Sequence, residues 1–197
     1  MLKSLLFDIG EVISDTDFAT LNREFGLRIG VSPTLAGEYY QAHHDEHLLG
    51  KISQEEFFNT FVKAGASSEL NLPAIWLEEA VKCTKLNQEL LDKLKTLKQQ
   101  GYILGALTNV TFTRKVIDEY FKLYDYFNFA LLSCDEGLKK PDVEFYKLAV
   151  QKAGVKPEEM LFIDDKPSNM SPAEQLGMQT IVYEGNEKLI GELELRI

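Results

Sequence analysis

Cysteine is scarce in this chain. There are two in 197 residues, Cys83 and Cys134, and neither stands in a metal-binding or redox spacing. Both are expected as reduced thiols of a cytoplasmic protein. Basic runs are missing as well. Lysine and arginine number 21 against 31 aspartates and glutamates, a formal net charge of −10. Nucleic-acid binding draws most of its affinity from basic side chains that neutralise phosphates, so no nucleic-acid partner is expected. Nor is there a long hydrophobic run. The opening MLKSLLFDIG is interrupted at Asp8, too early for a signal core. No window approaches the roughly 20 apolar residues that a membrane span needs, so no membrane partner is expected. Internal repeats and low-complexity tracts are absent.

What remains is the composition of an ordinary globular protein, 45% hydrophobic and 26% charged. Its length suits one compact domain or a core with a small insertion. Short apolar runs at LLFDIG, YILGALTN, FNFALLS, EMLFIDD and QTIVY read as buried parallel strands. Helical patterns separate them. In NQELLDKLKTLKQQG, Leu90, Leu91, Leu94 and Leu97 share one face, and Gly101 sits where the helix should end. TFTRKVIDEYF, PDVEFYKLAVQKAG and SNMSPAEQLG fill the later gaps. The alternation predicts an α/β fold, a doubly wound Rossmann-like parallel sheet with helices on both faces.

Residues 15–85 break that rhythm, with several helical segments and no strand. Ser32 and Pro33 read as an N-cap and first helical turn. SQEE at 53–56 fits a capping box, with Phe57, Phe58, Phe61 and Val62 forming the apolar face behind it. The expected organisation is a core of residues 1–14 and 86–197, with a small helical insertion at 15–85 after the first strand.

In an open parallel sheet, reactive groups gather at the carboxyl ends of the strands. Those ends supply Asp8, then Thr108 with Asn109, then Lys140 in the following loop, then Asp164 with Asp165. A carboxylate can attack phosphorus to give an aspartyl-phosphate. Two further acids can hold Mg²⁺, a hard cation that prefers oxygen ligands. A lysine offsets the crowded negative charge, and a hydroxyl and an amide can bond phosphate oxygens.

FDIGEVI, LTN, KKPD and FIDD followed by NMSPAEQLGM together resemble the four ordered motifs of the haloacid dehalogenase superfamily, over residues 5 to about 182. The resemblance implies a phosphatase whose helical insertion is a cap closing over the site. It implies Asp8 as nucleophile and metal ligand, Thr108 as phosphoryl-oxygen ligand with Asn109 beside it, and Lys140 as the charge-balancing base. Asp165 would be the direct Mg²⁺ ligand of the last motif, with Asp164 beside the metal or reaching it through water. The family's phosphatases usually carry a second aspartate two residues after the nucleophile, as general acid and base. This chain has Gly10 there. Its backbone carbonyl would still serve the metal, but proton transfer, typically worth about 10²–10⁴ in rate, loses its usual group. DIGEV and GKISQEEF look closest to a subgroup that includes bacterial glucose-1-phosphatase.

Other residues attract blander readings. Glu11, Asp15 and Asp17 are the nearby acids that could replace the missing group, and each reads more simply as a loop or hinge residue. His43 and His47 share a helical face without a third ligand, as on a solvated helix. Phe57, Phe58, Phe61 and Trp76 read as the core of the insertion. Three rivals to the phosphatase stand beside it. A metal-independent haloacid dehalogenase would leave Asp164 and Asp165 unexplained. A phosphonatase would need a cap lysine, for which Lys51 and Lys63 have no fitting context. A catalytically weak binding protein has Gly10 as its support. Residues 15–84 carry eleven acids against five bases. Such a field repels further negative charge. The expected partner is therefore a small phosphate ester with a neutral organic part, such as a sugar phosphate, rather than a bisphosphate or nucleotide.

Overall fold

The computed structural model describes residues 1–197, the side chain of Tyr40 excepted. Five parallel strands form the central sheet: β1 (Ser4–Phe7), β4 (Ile103–Thr108), β5 (Phe129–Leu132), β6 (Met160–Asp164) and β7 (Gln179–Val182). Their order is β5-β4-β1-β6-β7. All four pairings are parallel, with Phe7 opposite Ala106 on one side and Ile163 on the other. The expected α/β class is the observed one. The central strands β1 and β6 are buried along their whole length, as runs covered on both faces must be.

The helices that cover the sheet follow the periodicity of the sequence. α6 (Gln88–Gln99) buries Leu90, Leu91, Leu94 and Leu97, and Gly101 takes φ 92° just beyond the cap residue Gln100. On the same face, α11 (Asn186–Arg196) buries Leu189 and Leu193 in the cluster that holds Phe7 and Leu104. On the other face, α9 (Val143–Ala153) and α10 (Met170–Gln175) pack Phe145, Tyr146 and Ala173 onto Leu6, Leu107 and Phe162. α7 (Phe112–Tyr120) follows β4, and the single turn α8 (Ser133–Glu136) follows β5.

The insertion after β1 holds five helices among the described residues: α1 (Phe18–Ile29), α2 (Leu35–Ala42), α3 (His44–Leu48), α4 (Gln54–Lys63) and α5 (Leu72–Cys83). They bury a core of their own. Phe25 stands edge-on to Phe61 and Trp76, with ring centroids 5.1 and 5.0 Å apart. The capping box at α4 forms as expected, with Ser53 and Glu56 bonded reciprocally.

Three features depart from expectation. The strandless reading of residues 15–85 misses a two-stranded antiparallel ribbon at the base of the insertion, β2 (Ser14–Thr16) with β3 (Thr84–Leu86). Three residues per strand are too few for an alternating pattern to register. α2 begins two residues later than Ser32–Pro33 suggest. The Ser32 hydroxyl bonds Thr34 in a local turn, and Thr34 becomes the cap residue. His47 is not solvated: it is buried against the rings of Tyr39 and Phe57, while His43 stays half-exposed and pairs with Glu46. Among the described residues, no helix is long and apolar enough to cross a membrane.

Candidate active site

Asp8 follows β1, Thr108 ends β4 and Asp164 ends β6, so parallel pairing brings all three to one edge of the sheet. Each is buried, as is Lys140 in the loop after α8. Lys140 Nζ lies 2.5 Å from Asp164 Oδ2 and 3.1 Å from Asp8 Oδ1. A buried ammonium between two buried carboxylates offsets like charges that would otherwise repel. Its neighbour Lys139 pairs instead with Asp45 on the insertion, at 2.5 Å.

The remaining hydrogen bonds divide the acids by role. Asp8 Oδ1 accepts from the Ile9 N–H at 2.7 Å. Asp164 is saturated from within the protein: Oδ1 accepts from Lys166 N (2.8 Å) and Asn169 Nδ2 (2.9 Å), and Oδ2 from Asn169 Nδ2 (3.0 Å) and Lys140. Asp165 differs. Its Oδ1 is buried with no hydrogen-bond partner. Burial, and then the charge of Asp8, hold its carboxyl above the usual range. One oxygen from each of Asp8, Asp164 and Asp165 can be chosen so that all lie within 4.8 Å of one another, the cluster of possible metal ligands found among the described residues. An orphaned carboxylate oxygen in a group of three acids fits a hard cation such as Mg²⁺.

Asn109 is placed in an unforeseen way. Its Oδ1 accepts from the Lys140 N–H at 2.7 Å and its Nδ2 donates to the Lys140 carbonyl at 2.8 Å. Both ends of the carboxamide therefore hold the loop that carries Lys140. Gly10 lies beside Asp8 in the wall of the site, with Glu11 after it at φ 60°. Asp17 caps α1 by accepting from Thr20 N, and Asp15 is an exposed residue of β2.

Two side chains, the buried Asn169 and the partly buried Arg114, were not singled out from the sequence. Asn169 holds both oxygens of Asp164, and its spacing after FIDD was the available signal. Arg114 had none that pointed to the ribbon, since Ser14 and Thr16 lie about a hundred residues away. Its Nη1 bonds Thr16 Oγ1 (2.5 Å), its Nη2 bonds Ser14 Oγ (2.6 Å), and its Nε bonds the buried Asp118 (3.0 Å). It thereby fastens the ribbon strand β2 to α7.

Above the acids is a cavity of about 390 Å³, walled from below by Asp8, Thr108 and Lys140 and from the insertion by Phe18, Asn22, Gly37, His44 and Leu48. The insertion closes tightly on the core. Gly50 lies so near Cys134 that a Cβ there would collide with the Cys134 carbonyl oxygen, and its φ of 67° also favours glycine.

A fold of this order, with acids at adjoining strand ends and a helical insertion after the first, marks a class of hydrolases. The family model for haloacid dehalogenase-like hydrolases matches residues 2–177, and the chain belongs to that family. It is 31% identical to flavin mononucleotide hydrolase 1, a chloroplast protein of Arabidopsis thaliana, over 98% of this chain and 76% of that one. It is 26% identical to glyceraldehyde 3-phosphate phosphatase of Methanocaldococcus jannaschii, over 92% of this chain and 84% of the relative. Among solved structures, a variant of a HAD family enzyme from Bacteroides thetaiotaomicron, in complex with magnesium and inorganic phosphate, superposes with a TM-score of 0.77 at 25% identity. The match covers 96% of this chain and 99% of that one. The chain is thus a hydrolase with phosphatases among its relatives.

Proposed function

We propose that this enzyme is a magnesium-dependent phosphatase of a small phosphomonoester with a neutral organic part, a sugar phosphate in the first instance, and that it works in the cytoplasm. The observation that carries the metal is the buried, unpartnered Asp165 Oδ1 beside Asp8 and Asp164. Asp8, Asp165 and the Gly10 carbonyl would hold the ion, with Asp164 beside it. Bound there, Mg²⁺ would supply positive charge to the phosphoryl oxygens.

The chain's own groups account for the rest. Ile9 N and Lys140 Nζ hold Asp8 Oδ1, which leaves Oδ2 to attack phosphorus. As that O–P bond forms, the ester P–O bond breaks and the alcohol leaves, taking its proton from water because residue 10 has no acid. Thr108 Oγ donates to a phosphoryl oxygen, and Lys140 neutralises charge that develops there. Water then cleaves the aspartyl-phosphate, releasing phosphate and restoring Asp8. The acidic insertion disfavours a second phosphate. Flavin mononucleotide and glyceraldehyde 3-phosphate, named for the two relatives, are both monophosphates of neutral, hydroxylated molecules. Gly10 keeps the glucose-1-phosphatase-like subgroup as the nearest pattern.

The test is a panel of phosphorylated metabolites, assayed with Mg²⁺ and after chelation. Release of phosphate that requires Mg²⁺ and is lost in Asp165→Asn is the expected result. Turnover that survives chelation, or dehalogenation of 2-haloacids in its place, would overturn the reading.

A further inference from the structure

Two residues of the insertion make little sense as parts of a fold. Gly37 lies inside α2, where glycine disfavours a helix relative to alanine. No backbone need explains it, because its φ is outside the left-handed region. No close packing explains it either. A Cβ would meet only Asn22 Nδ2, at an ordinary 3.5 Å. Asn22, from the neighbouring α1, has a buried Oδ1 without a hydrogen-bond partner, which is costly for a carboxamide. Both residues line the cavity that contains Asp8 and Thr108.

The rest of that wall shows what kind of group it suits. Phe18 and Leu48 are apolar, and Phe18 stands one helical turn before Asn22 on the same face of α1. Arg114, 5.8 Å from the Phe18 ring centroid, is bonded to Ser14, Thr16 and Asp118. The wall therefore offers an apolar surface, an unsatisfied amide and the space of a missing side chain.

We propose that Gly37 and Asn22 form the subsite for the substrate's leaving group, with Gly37 making room for its carbon skeleton and Asn22 hydrogen-bonding one of its hydroxyls. A hydroxyl both donates and accepts, so it can satisfy either end of the carboxamide. The assignment rests on the phosphatase reading above and specifies its substrate as a hydroxylated alcohol rather than an apolar one.

The test compares kcat/KM for glucose 1-phosphate, cyclohexyl phosphate and acetyl phosphate, whose small acyl group does not extend to this wall. Gly37→Ala should raise Tm by about 2–4 °C through helix propensity. The same variant should lower the ratio of glucose 1-phosphate to acetyl phosphate turnover, and Gly37→Leu should lower it further, by about tenfold or more. Asn22→Leu, similar in size but without polar atoms, should lower the ratio of glucose 1-phosphate to cyclohexyl phosphate by about tenfold or more. Asn22→Asp, which still accepts, should retain much of that ratio. The subsite is overturned if Gly37→Leu, folded at the wild-type Tm, keeps the wild-type ratio, or if Asn22→Leu does. It is equally overturned if Asn22→Asp and Asn22→Leu lose the ratio alike. A wild type that turns over none of the three phosphates, acetyl phosphate included, defeats the phosphatase reading itself and the subsite with it. Acetyl phosphate turnover with unmoved ratios defeats the subsite alone.

Discussion

Asn109 and Lys140 exchange two hydrogen bonds across thirty-one residues of chain, the carboxamide of one clasping the backbone N–H and C=O of the other at 2.7 and 2.8 Å. The clasp fixes the peptide from which the buried ammonium reaches Asp8 and Asp164. Asn109→Ala should therefore cost stability, about 1–3 kcal/mol for the backbone groups left unpaired. It should also slow phosphoryl transfer by about 10² if Nζ shifts by an ångström or so. Urea titration and single-turnover kinetics measure the two effects. Full activity in a destabilised protein would show that Lys140 keeps its place without the clasp.

Lys140 itself is a test of the charge balance. Lys140→Met leaves the buried carboxylates of Asp8 and Asp164 without their cation, a change that typically costs about 3–5 kcal/mol. Saturating Mg²⁺ should recover part of that loss, because it supplies positive charge to the same cluster. Chemical denaturation with and without Mg²⁺ measures both quantities. A loss below about 1 kcal/mol in metal-free buffer would mean that the acids do not depend on this lysine.

How far the sequence carried this reading depended on the range of the signal. Strands and their reactive ends were legible because Leu5 to Asp8, or Leu161 to Asp165, encode burial and chemistry within a few consecutive residues. The family motifs then ordered those ends. β2 and β3 were not legible, since Ser-Asp-Thr and Thr-Lys-Leu carry no periodicity and exist as strands only because Ser14 meets Leu86. The same holds for Arg114, whose partners on the ribbon, Thr16 and Ser14, are 98 and 100 residues away. Lys139 and Lys140 are adjacent in the sequence, and the fold separates them by burial, one facing Asp45 and the other the acids. Asn109 was recognisable as a site residue, but which atoms it uses follows from the approach of two loops.

The Arg114–Asp118 pair makes a pH prediction. Burial pushes the Asp118 carboxyl up, against the pull of Arg114. A raised folded-state pKa means that the folded protein binds the proton more tightly than the unfolded chain does. This contribution to stability is fully present below the ordinary carboxylate value of about 3.9 and is lost as pH rises through the raised value. Asp118→Asn should flatten that part of the stability profile. At neutral pH the same change should also destabilise the protein, because Arg114 loses its carboxylate. Urea unfolding of both proteins between about pH 4 and 7 checks the slope. Parallel profiles would show that Asp118 titrates as it does in the unfolded chain.

Gly10 offers the sharpest test of the chemistry. A side chain can be placed there: its φ is outside the left-handed region, and a Cβ would meet nothing within 4 Å. Gly10→Asp should therefore fold and set a carboxyl beside Asp8, where the leaving oxygen departs. An aryl phosphate such as p-nitrophenyl phosphate has a leaving group stable as an anion, so its transfer to Asp8 needs little help. A sugar hydroxyl leaves poorly unless protonated. The substitution should speed phosphoenzyme formation from the sugar phosphate by about 10², and from the aryl phosphate much less. The comparison must be made in a single turnover, because hydrolysis of the aspartyl-phosphate can limit the steady state for both substrates. Equal gains would mean that another group already donates the proton, and Glu11, which lines the same cavity, is the first to examine. If neither substrate phosphorylates the protein, with or without the new carboxyl, the result would favour a protein that binds its ligand without turning it over.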